Sequence, residues 1–364
     1  MPEDATDTPR LDVASCYALG LQVLTEHGVS DKLAAIVTDV LVEADKRGVR
    51  SHGLTRLPSY IERVRRGLLE PNARPEIVKD GETILLLDGQ NGFGAVAAVE
   101  ATRLAATRAA KHGLCWVTVR DSNHFGIAGY YTQMLARNGL AGIVLSNASP
   151  AVAAYGGKRA TLGTNPLSIG VPSSRGPIVL DMATTVIARG KIRRAKAEGR
   201  ALSPGLALDA DGNPTTDPEA ALTGTLASLG GPKGYGLAVM IELLSGVLSG
   251  GRYLTEVRQV TDLSGTAGTC FTIIAADIGR ITDLNNYQQR TERFGSVIRQ
   301  SGDDDADIYL PGEIENLRAR EAEKNGIALP EDVLESLRTL SSSIIADLDK
   351  RRDRRGAKDA DLNE

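Results

Sequence analysis

Cysteine is scarce in this chain of 364 residues. Cys16, Cys115 and Cys270 lie far apart, odd in number and outside any CxxC pair. That spacing leaves no disulfide framework and no cysteine-based zinc site, and it suits a reducing cytoplasm. There are only four histidines and one tryptophan. Long apolar runs are also missing, since the longest, near 237–248, is broken by Glu242 and Ser245, so nothing reads as a membrane span. The opening MPEDATDTPR is polar and acidic, without the apolar core of a signal peptide. A net charge of −4 provides no basic field to recruit nucleic acid or an anionic membrane. Neither GxxxxGK[ST] nor GxSxG occurs, which removes the P-loop and the hydrolase elbow. The expectation is a soluble cytoplasmic protein with no metal centre, no nucleic-acid partner and no membrane partner.

The 42% apolar and 24% charged residues are those of an ordinary globular chain, long enough for one large or two medium domains. Helical periodicity runs over 11–28, 31–48 and about 54–66, with Ser30 placed as a cap and Gly48 as a stop. From Thr83 the pattern alternates. ILLLDG reads as a strand, 95–111 as an alanine-rich helix, 115–120 as a strand, 127–138 as a helix and 141–145 as a strand. PIVLDMA, 177–183, reads as a buried strand ending in Asp181. The helix after it is expected to carry Arg189, Lys191, Arg193 and Arg194 in its last turn. The turn-rich stretch 198–232 reads as a surface excursion. GPKGYG opens an apolar helix over 235–250, FTIIAAD is a strand, and 284–300 and 331–349 are amphipathic helices. This order predicts a helical N-terminal segment (1–75), a central α/β domain (76–280), a helical C-terminal segment (281–348) and a charged flexible tail (349–364).

Candidate chemistry gathers around Val119–Pro150, where His124 sits between Asn123 and Phe125 at the junction of a strand and a helix. Imidazole there suits acid–base work, and a core or capping histidine is the competing reading. Arg50, Ser51, His52, Arg56, Tyr60 and Arg63 form a second group. In a helix, Arg56, Tyr60 and Arg63 share a face, able to clamp a carboxylate or simply to be a solvated basic surface. Gly92–Ala97 fits GxGxxA formally, but no acidic residue follows about 20 positions on to hold a ribose. A glycine turn that lets helix meet strand is the better reading. Lys233 at a helix start favours an anion. Asp181 at a strand end could accept from a ribose or cap a helix. Arg189 and Arg193 suit a 2′-phosphate or merely a helix C-terminus.

Seven blocks in order, EADKRGVRSHGLTRLPSYIERVRRG, DSNHFGIAGYYTQMLARNGLAGIVLSNASP, LGTNPLSIGVP, DMATTVIARGKI, DGNPTTDP, GPKGYGLAVMIELLSGVLSG and LPGEIE, resemble the malate/L-lactate dehydrogenase family. That family stands apart from the Rossmann-type enzymes and includes sulfolactate, ureidoglycolate and diketogulonate enzymes and cyclic-imine reductases. The resemblance spans about 11–340. It implies a mixed-sheet, three-layer sulfolactate-dehydrogenase-like α/β fold, not a classical Rossmann fold, and a homodimer with active sites near the subunit interface. It also implies NAD or NADP as cofactor and hydride transfer on a small 2-hydroxy or 2-oxo acid. The alternatives are an NAD(P)H-dependent reductase of cyclic 2-carboxy imines and, more distantly, a non-catalytic dinucleotide-binding protein.

Residue by residue, the resemblance makes His124 and His52 the catalytic pair. Arg56, Tyr60, Asn123 and Arg50 fall at substrate positions. Asn147, Ala148, Ser149, Asp181, Met182, Ala183, Lys233, Gly312 and Glu313 fall at cofactor positions. The stretch 251–270 departs from the family pattern.

Overall fold

The computed structural model describes residues 9–303 and 306–341. Its main sheet has seven strands, in spatial order Glu76–Asp80, Ile84–Asp88, Leu114–Ser122, Thr269–Asp277, Leu140–Ser146, Leu167–Val171 and Ile178–Met182. Only Ile84–Asp88 and Leu114–Ser122 pair in parallel; every other neighbouring pair is antiparallel. The sheet is therefore mixed. It is not the parallel sheet of a Rossmann fold.

Thr269–Asp277 owes its central place to composition. Its near-continuous apolar run, TCFTIIAAD, is almost wholly buried, as suits a strand covered on both faces. Phe271, Ile273 and Ala275 face the helix Gly94–His112 within the main core, and the Phe271 ring stacks on Phe125. The alternate residue Thr272 faces the other way, donating to the carbonyl of Leu244 at 2.7 Å. A helix on that side begins at Pro232–Glu242 and continues as a π-helical turn over Leu243–Val247. Helix, sheet and helix make the three layers. Gly94–His112 lies close to its strands because Ala98, Ala101, Ala105 and Ala109 are fully buried on it. Helices Val13–Glu26 and Asp31–Lys46 stack outside that layer. The short pair Arg10–Leu11 with Ile327–Ala328 ties the C-terminal region to them.

Several expectations need correction. The stretch 198–232 is not a surface excursion. Its strands Ala207–Leu208 and Thr225–Leu226 belong to a second, five-stranded sheet completed by Pro214–Thr215, Val152–Ala153 and Ala160–Leu162. That sheet has its own core, in which Val152, Leu162, Ile192, Ala207, Leu226 and Ala238 are buried. Each strand is only two or three residues long, too short to leave a period-2 signal. The strand Ile178–Met182 is an edge strand on which only Val179 is buried. Arg189 and Lys191 open the helix Arg189–Ala197 rather than close it, while Arg194 does fall in its last turn. The edge strand Glu76–Asp80 and the helix Glu313–Asn325 were not foreseen, and each has almost no buried residue to betray it. The predicted helix over 331–349 is present as Glu331–Arg338, and its remainder past 341, like the charged tail, lies outside the described residues. No helix of the described residues is long and apolar enough to cross a membrane.

Candidate active site

Three strands, Leu114–Ser122, Leu140–Ser146 and Ile178–Met182, run in the same direction. Their C-terminal ends open onto one cleft of about 900 Å³. That is the end of an α/β sheet where ligands collect, and the volume is at the upper end for small-molecule sites.

The first strand delivers Asn123 and His124. A Cβ at Gly94 would lie 2.1 Å from the carbonyl oxygen of Asn123 and 2.6 Å from that of His124. The GxGxxA turn thus serves to press a helix start against the histidine's backbone, and none of 92–97 lines the cleft. Asn123 is buried, and its amide donates to the Asn91 carbonyl and side chain and to the Gly92 carbonyl at 3.0–3.1 Å. Its Oδ1 has no partner among the described residues.

His124 Nδ1 lies 2.7 Å from the Tyr60 hydroxyl, and the Gly126 N–H donates to the same nitrogen at 3.4 Å. A nitrogen that accepts from a backbone N–H carries no proton of its own. The Tyr60 hydroxyl therefore donates as well, and the neutral ring's proton sits on Nε2. Tyr60 is itself 2% exposed and stands behind His124, outside the cleft wall.

His52 arrives on a 3₁₀ turn, Arg50–His52, and stacks on His124 with ring centroids 5.2 Å apart. Ser51 Oγ is 2.9 Å from His52 Nδ1. Buried Asp45 braces the turn by accepting the Leu54 N–H at 2.8 Å. A Cβ at Gly53 would sit 1.9 Å from that carboxylate, which is why the SHG motif needs its glycine. Burial, then the Arg56 charge, pushes His52 down to about 4. His124 falls well below the usual histidine range, through burial first and then the charges of His52 and Arg56. Both rings are neutral at pH 7. Asp45 rises to about 7, mainly through burial.

Arg56 lines the cleft with both histidines, its Nε donating to the Ser51 carbonyl at 2.6 Å. Arg63 is no part of a solvated basic face. It is wholly buried and donates to the carbonyls of Asp262 at 2.6 Å and Gly265 at 2.9 Å, pinning the irregular 251–270 stretch. Arg50 is absent from the cleft wall and stands near Asp45, whose charge it favours.

The second wall carries Asn147, Ala148, Ser149, Asp181, Met182, Ala183 and Gly312. The Asn147 side chain is spent inside the protein. It accepts the Cys270 N–H at 2.8 Å, donates to the Arg252 carbonyl at 2.9 Å and approaches Glu242 at 3.4 Å. Glu242, 3% exposed, also accepts from Asn165 Nδ2 at 2.7 Å and from the Leu254 N–H at 2.9 Å. Asn165 Oδ1 in turn accepts the Ala148 N–H at 3.0 Å. This buried network holds the 146–149 bend so that its backbone faces the cleft. Asp181 accepts the Gly129 N–H at 2.8 Å. It keeps solvent contact through the cleft, yet the surrounding walls desolvate it and push it up to about 6. A backbone bend at strand ends, a carboxylate acceptor and a cleft of this size fit a dinucleotide.

Two expected cofactor residues are not brought here. Lys233 is turned to solvent, because its helix docks through Gly234 against Leu229 and Thr184. Glu313 pairs with Arg299 and accepts the Leu310 N–H at 2.7 Å, bracing the turn that presents Gly312. Asp45 and Glu242 were missed as site-building residues. The signal for Glu242 was visible: one carboxylate inside an apolar run needs buried donors.

The family model for malate/L-lactate dehydrogenase matches residues 12–338. The malate/(S)-sulfolactate dehydrogenase of Methanothermus fervidus is 36% identical over 331 residues, 91% of this chain and 97% of that protein. The solved structure of sulfolactate dehydrogenase from Methanocaldococcus jannaschii superposes with a TM-score of 0.87 at 34% identity, covering 92% of this chain and 97% of that one. A Δ1-piperideine-2-carboxylate reductase from Pseudomonas syringae gives a TM-score of 0.82 at 28% identity, over 92% of this chain and 100% of that one.

Proposed function

The chain belongs to the malate/L-lactate dehydrogenase family, and from that premise we propose that it moves a hydride between NAD or NADP and a small 2-hydroxy or 2-oxo acid. The observation that carries the reading is the stacked, neutral pair His52 and His124 beside Arg56 in one cleft. Bound nicotinamide would supply the hydride chemistry. The protein supplies orientation, a proton path and charge.

With Nε engaged by Ser51, the two terminal nitrogens of Arg56 remain to grip a carboxylate bidentately. With Nδ1 occupied, the resting ring of His124 donates its Nε2–H to the substrate oxygen as a hydrogen bond. It takes the alcohol's proton at Nε2 once the ring proton has moved to Nδ1, with the Tyr60 oxygen accepting it. A carboxylate on Arg56 cancels one of the charges that depress both histidines, so substrate binding itself raises their proton affinity. His52 stacks against His124 and orients the same oxygen. The backbone of Asn147–Ser149, the Asp181–Ala183 strand end and Gly312 are the cofactor wall.

A homodimer is part of the reading. Met240, Leu243, Val247 and Leu248 are each more than two-fifths exposed along one helix, an apolar stripe that suits a second copy. Light scattering on the purified protein checks it.

The test is consumption of NADH and NADPH against pyruvate, oxaloacetate, sulfopyruvate, diketogulonate and piperideine-2-carboxylate, with ureidoglycolate run oxidatively. Turnover of an oxo or hydroxy acid is expected, with kcat lowered roughly 10²–10⁴-fold in His124→Ala. Turnover of the imine alone would move the protein to the reductase reading, which its likeness to the piperideine reductase supports. Binding of cofactor without any turnover would leave a non-catalytic dinucleotide binder.

A further inference from the structure

Three guanidiniums meet at one end of the cleft with no acid among them. Arg56 approaches from the 3₁₀ turn Leu54–Arg56, and Arg189 and Arg193 come from the start of the helix Arg189–Ala197; all three line the wall. The Arg193 charge is felt at both of the others: it adds to the burial that already lowers Arg56 and Arg189. Among the described residues, no carboxylate lies within ion-pair distance of any of the three. Their hydrogen bonds do not compensate. Arg56 gives Nε to Ser51, and Arg189 reaches the Gly224 carbonyl only at 3.4 Å. Arg189 Nε is buried and has no partner among the described residues.

The helix adds to the imbalance. Its N-cap is Ala188, no side chain caps it, and its first turn holds no acidic residue. Cations at this end oppose the helix dipole. Like charges this close repel, and such an arrangement persists at a functional site when a ligand supplies the missing charge.

One anion does not answer three guanidiniums. Arg56 is taken by the carboxylate next to the reacting carbon, on the reading given above, and this inference rests on it. The remaining two stand at the substrate end of the cleft. A Cβ built on Gly190 would touch Ser51 at 3.9 Å, and Ser51 is bonded to His52. We propose that Arg189 and Arg193 form a second anion locus, which receives the far acidic group of a diacid substrate, a carboxylate or sulfonate on C3. The cleft then selects 2-hydroxy and 2-oxo diacids over monoacids.

Arg193 is exposed at the cleft wall, so its replacement leaves the core intact. The experiment compares Arg193→Ala and Arg193→Lys with the parent protein on oxaloacetate and pyruvate, each with NADH and with NADPH. The expected result is a fall of about tenfold or more in the oxaloacetate-to-pyruvate ratio of kcat/KM for the alanine variant. The fall is carried by KM, and lysine restores part of it. An unchanged ratio overturns the proposal. So does a loss confined to NADPH, which would give the locus to the cofactor's 2′-phosphate. Calorimetric binding of malate and lactate covers the case in which no oxo acid turns over. Weaker malate binding relative to lactate in Arg193→Ala sustains the locus although the dehydrogenase reading has failed, and equal effects on both acids refute it.

Discussion

The Tyr60 hydroxyl lies 2.7 Å from Nδ1 of His124, on the side of the ring away from the cleft. The sequence placed Tyr60 among the substrate contacts; its burial behind the ring makes it instead, with the Gly126 N–H, a partner that holds Nδ1 of the histidine. Burial also holds the Tyr60 hydroxyl well above the usual tyrosine value, so it stays a donor. Tyr60→Phe should lower kcat about tenfold with a smaller change in substrate KM. It should cost about 1 kcal/mol of stability. Steady-state kinetics beside urea unfolding decide it: a rise in KM alone would return Tyr60 to the substrate.

Gly94 offers a direct test of what the GxGxxA turn is for. An alanine there would meet two backbone oxygens, of Asn123 and His124, at 2.1 and 2.6 Å. Neither is free to move, because both belong to the strand end that carries the catalytic candidate. Gly94→Ala is expected to destabilise by about 1–3 kcal/mol and to lower kcat. A rise in cofactor KM with stability and kcat intact would instead mark the turn as a pyrophosphate cradle.

Glu242 accepts from Asn165 and from the backbone of Leu254, both below the 146–149 bend. Replacing it with glutamine keeps the shape but turns one acceptor into a donor that faces other donors. Glu242→Gln should therefore lose about 1–3 kcal/mol and raise cofactor KM more than it lowers kcat. Stability loss with an unchanged cofactor KM would separate the network from the cofactor wall.

Asp45 makes a prediction in pH. Its carboxyl is raised to about 7 in the folded chain, against about 3.9 unfolded. Between those values the folded state binds more protons, so this group's contribution to stability falls as pH rises. Asp45→Asn removes that decline while still accepting the Leu54 N–H. Measured by urea unfolding at pH 4.5 and 7.5, the variant should gain on the parent protein at the higher pH. His52, depressed to about 4, works with the opposite sign, its contribution being lost as pH falls from about 6.5. It is common to both proteins and cancels in the difference. A gain at the lower pH would contradict the assignment.

Read in order, the residues already marked most of the stretches that meet at the cleft. The SHG and SNHFG histidines meet at 5.2 Å, and the DMA and SNAS stretches line the same cleft. Those are local features. A histidine at a strand end, or a glycine turn before a helix, keeps its character wherever the chain takes it.

What tertiary structure decided was direction and partnership. Whether a side chain meets solvent, ligand or backbone depends on what packs against it from far along the chain. Arg63 looks like a surface cation until the carbonyls of Asp262 and Gly265, some 200 residues on, close over it. Arg193 shares a cleft wall with Arg56 only because the second sheet positions its helix there. Lys233 and Glu313 carry motifs aimed by sequence at the cofactor, yet one is turned to solvent and the other is consumed by Arg299 and Leu310. Insertion of Thr269–Asp277 between strands more than 120 residues earlier creates the common edge onto which the site opens. Composition and periodicity report which residues want burial or a helix; long-range pairing determines which of them meet, and no local signal encodes that.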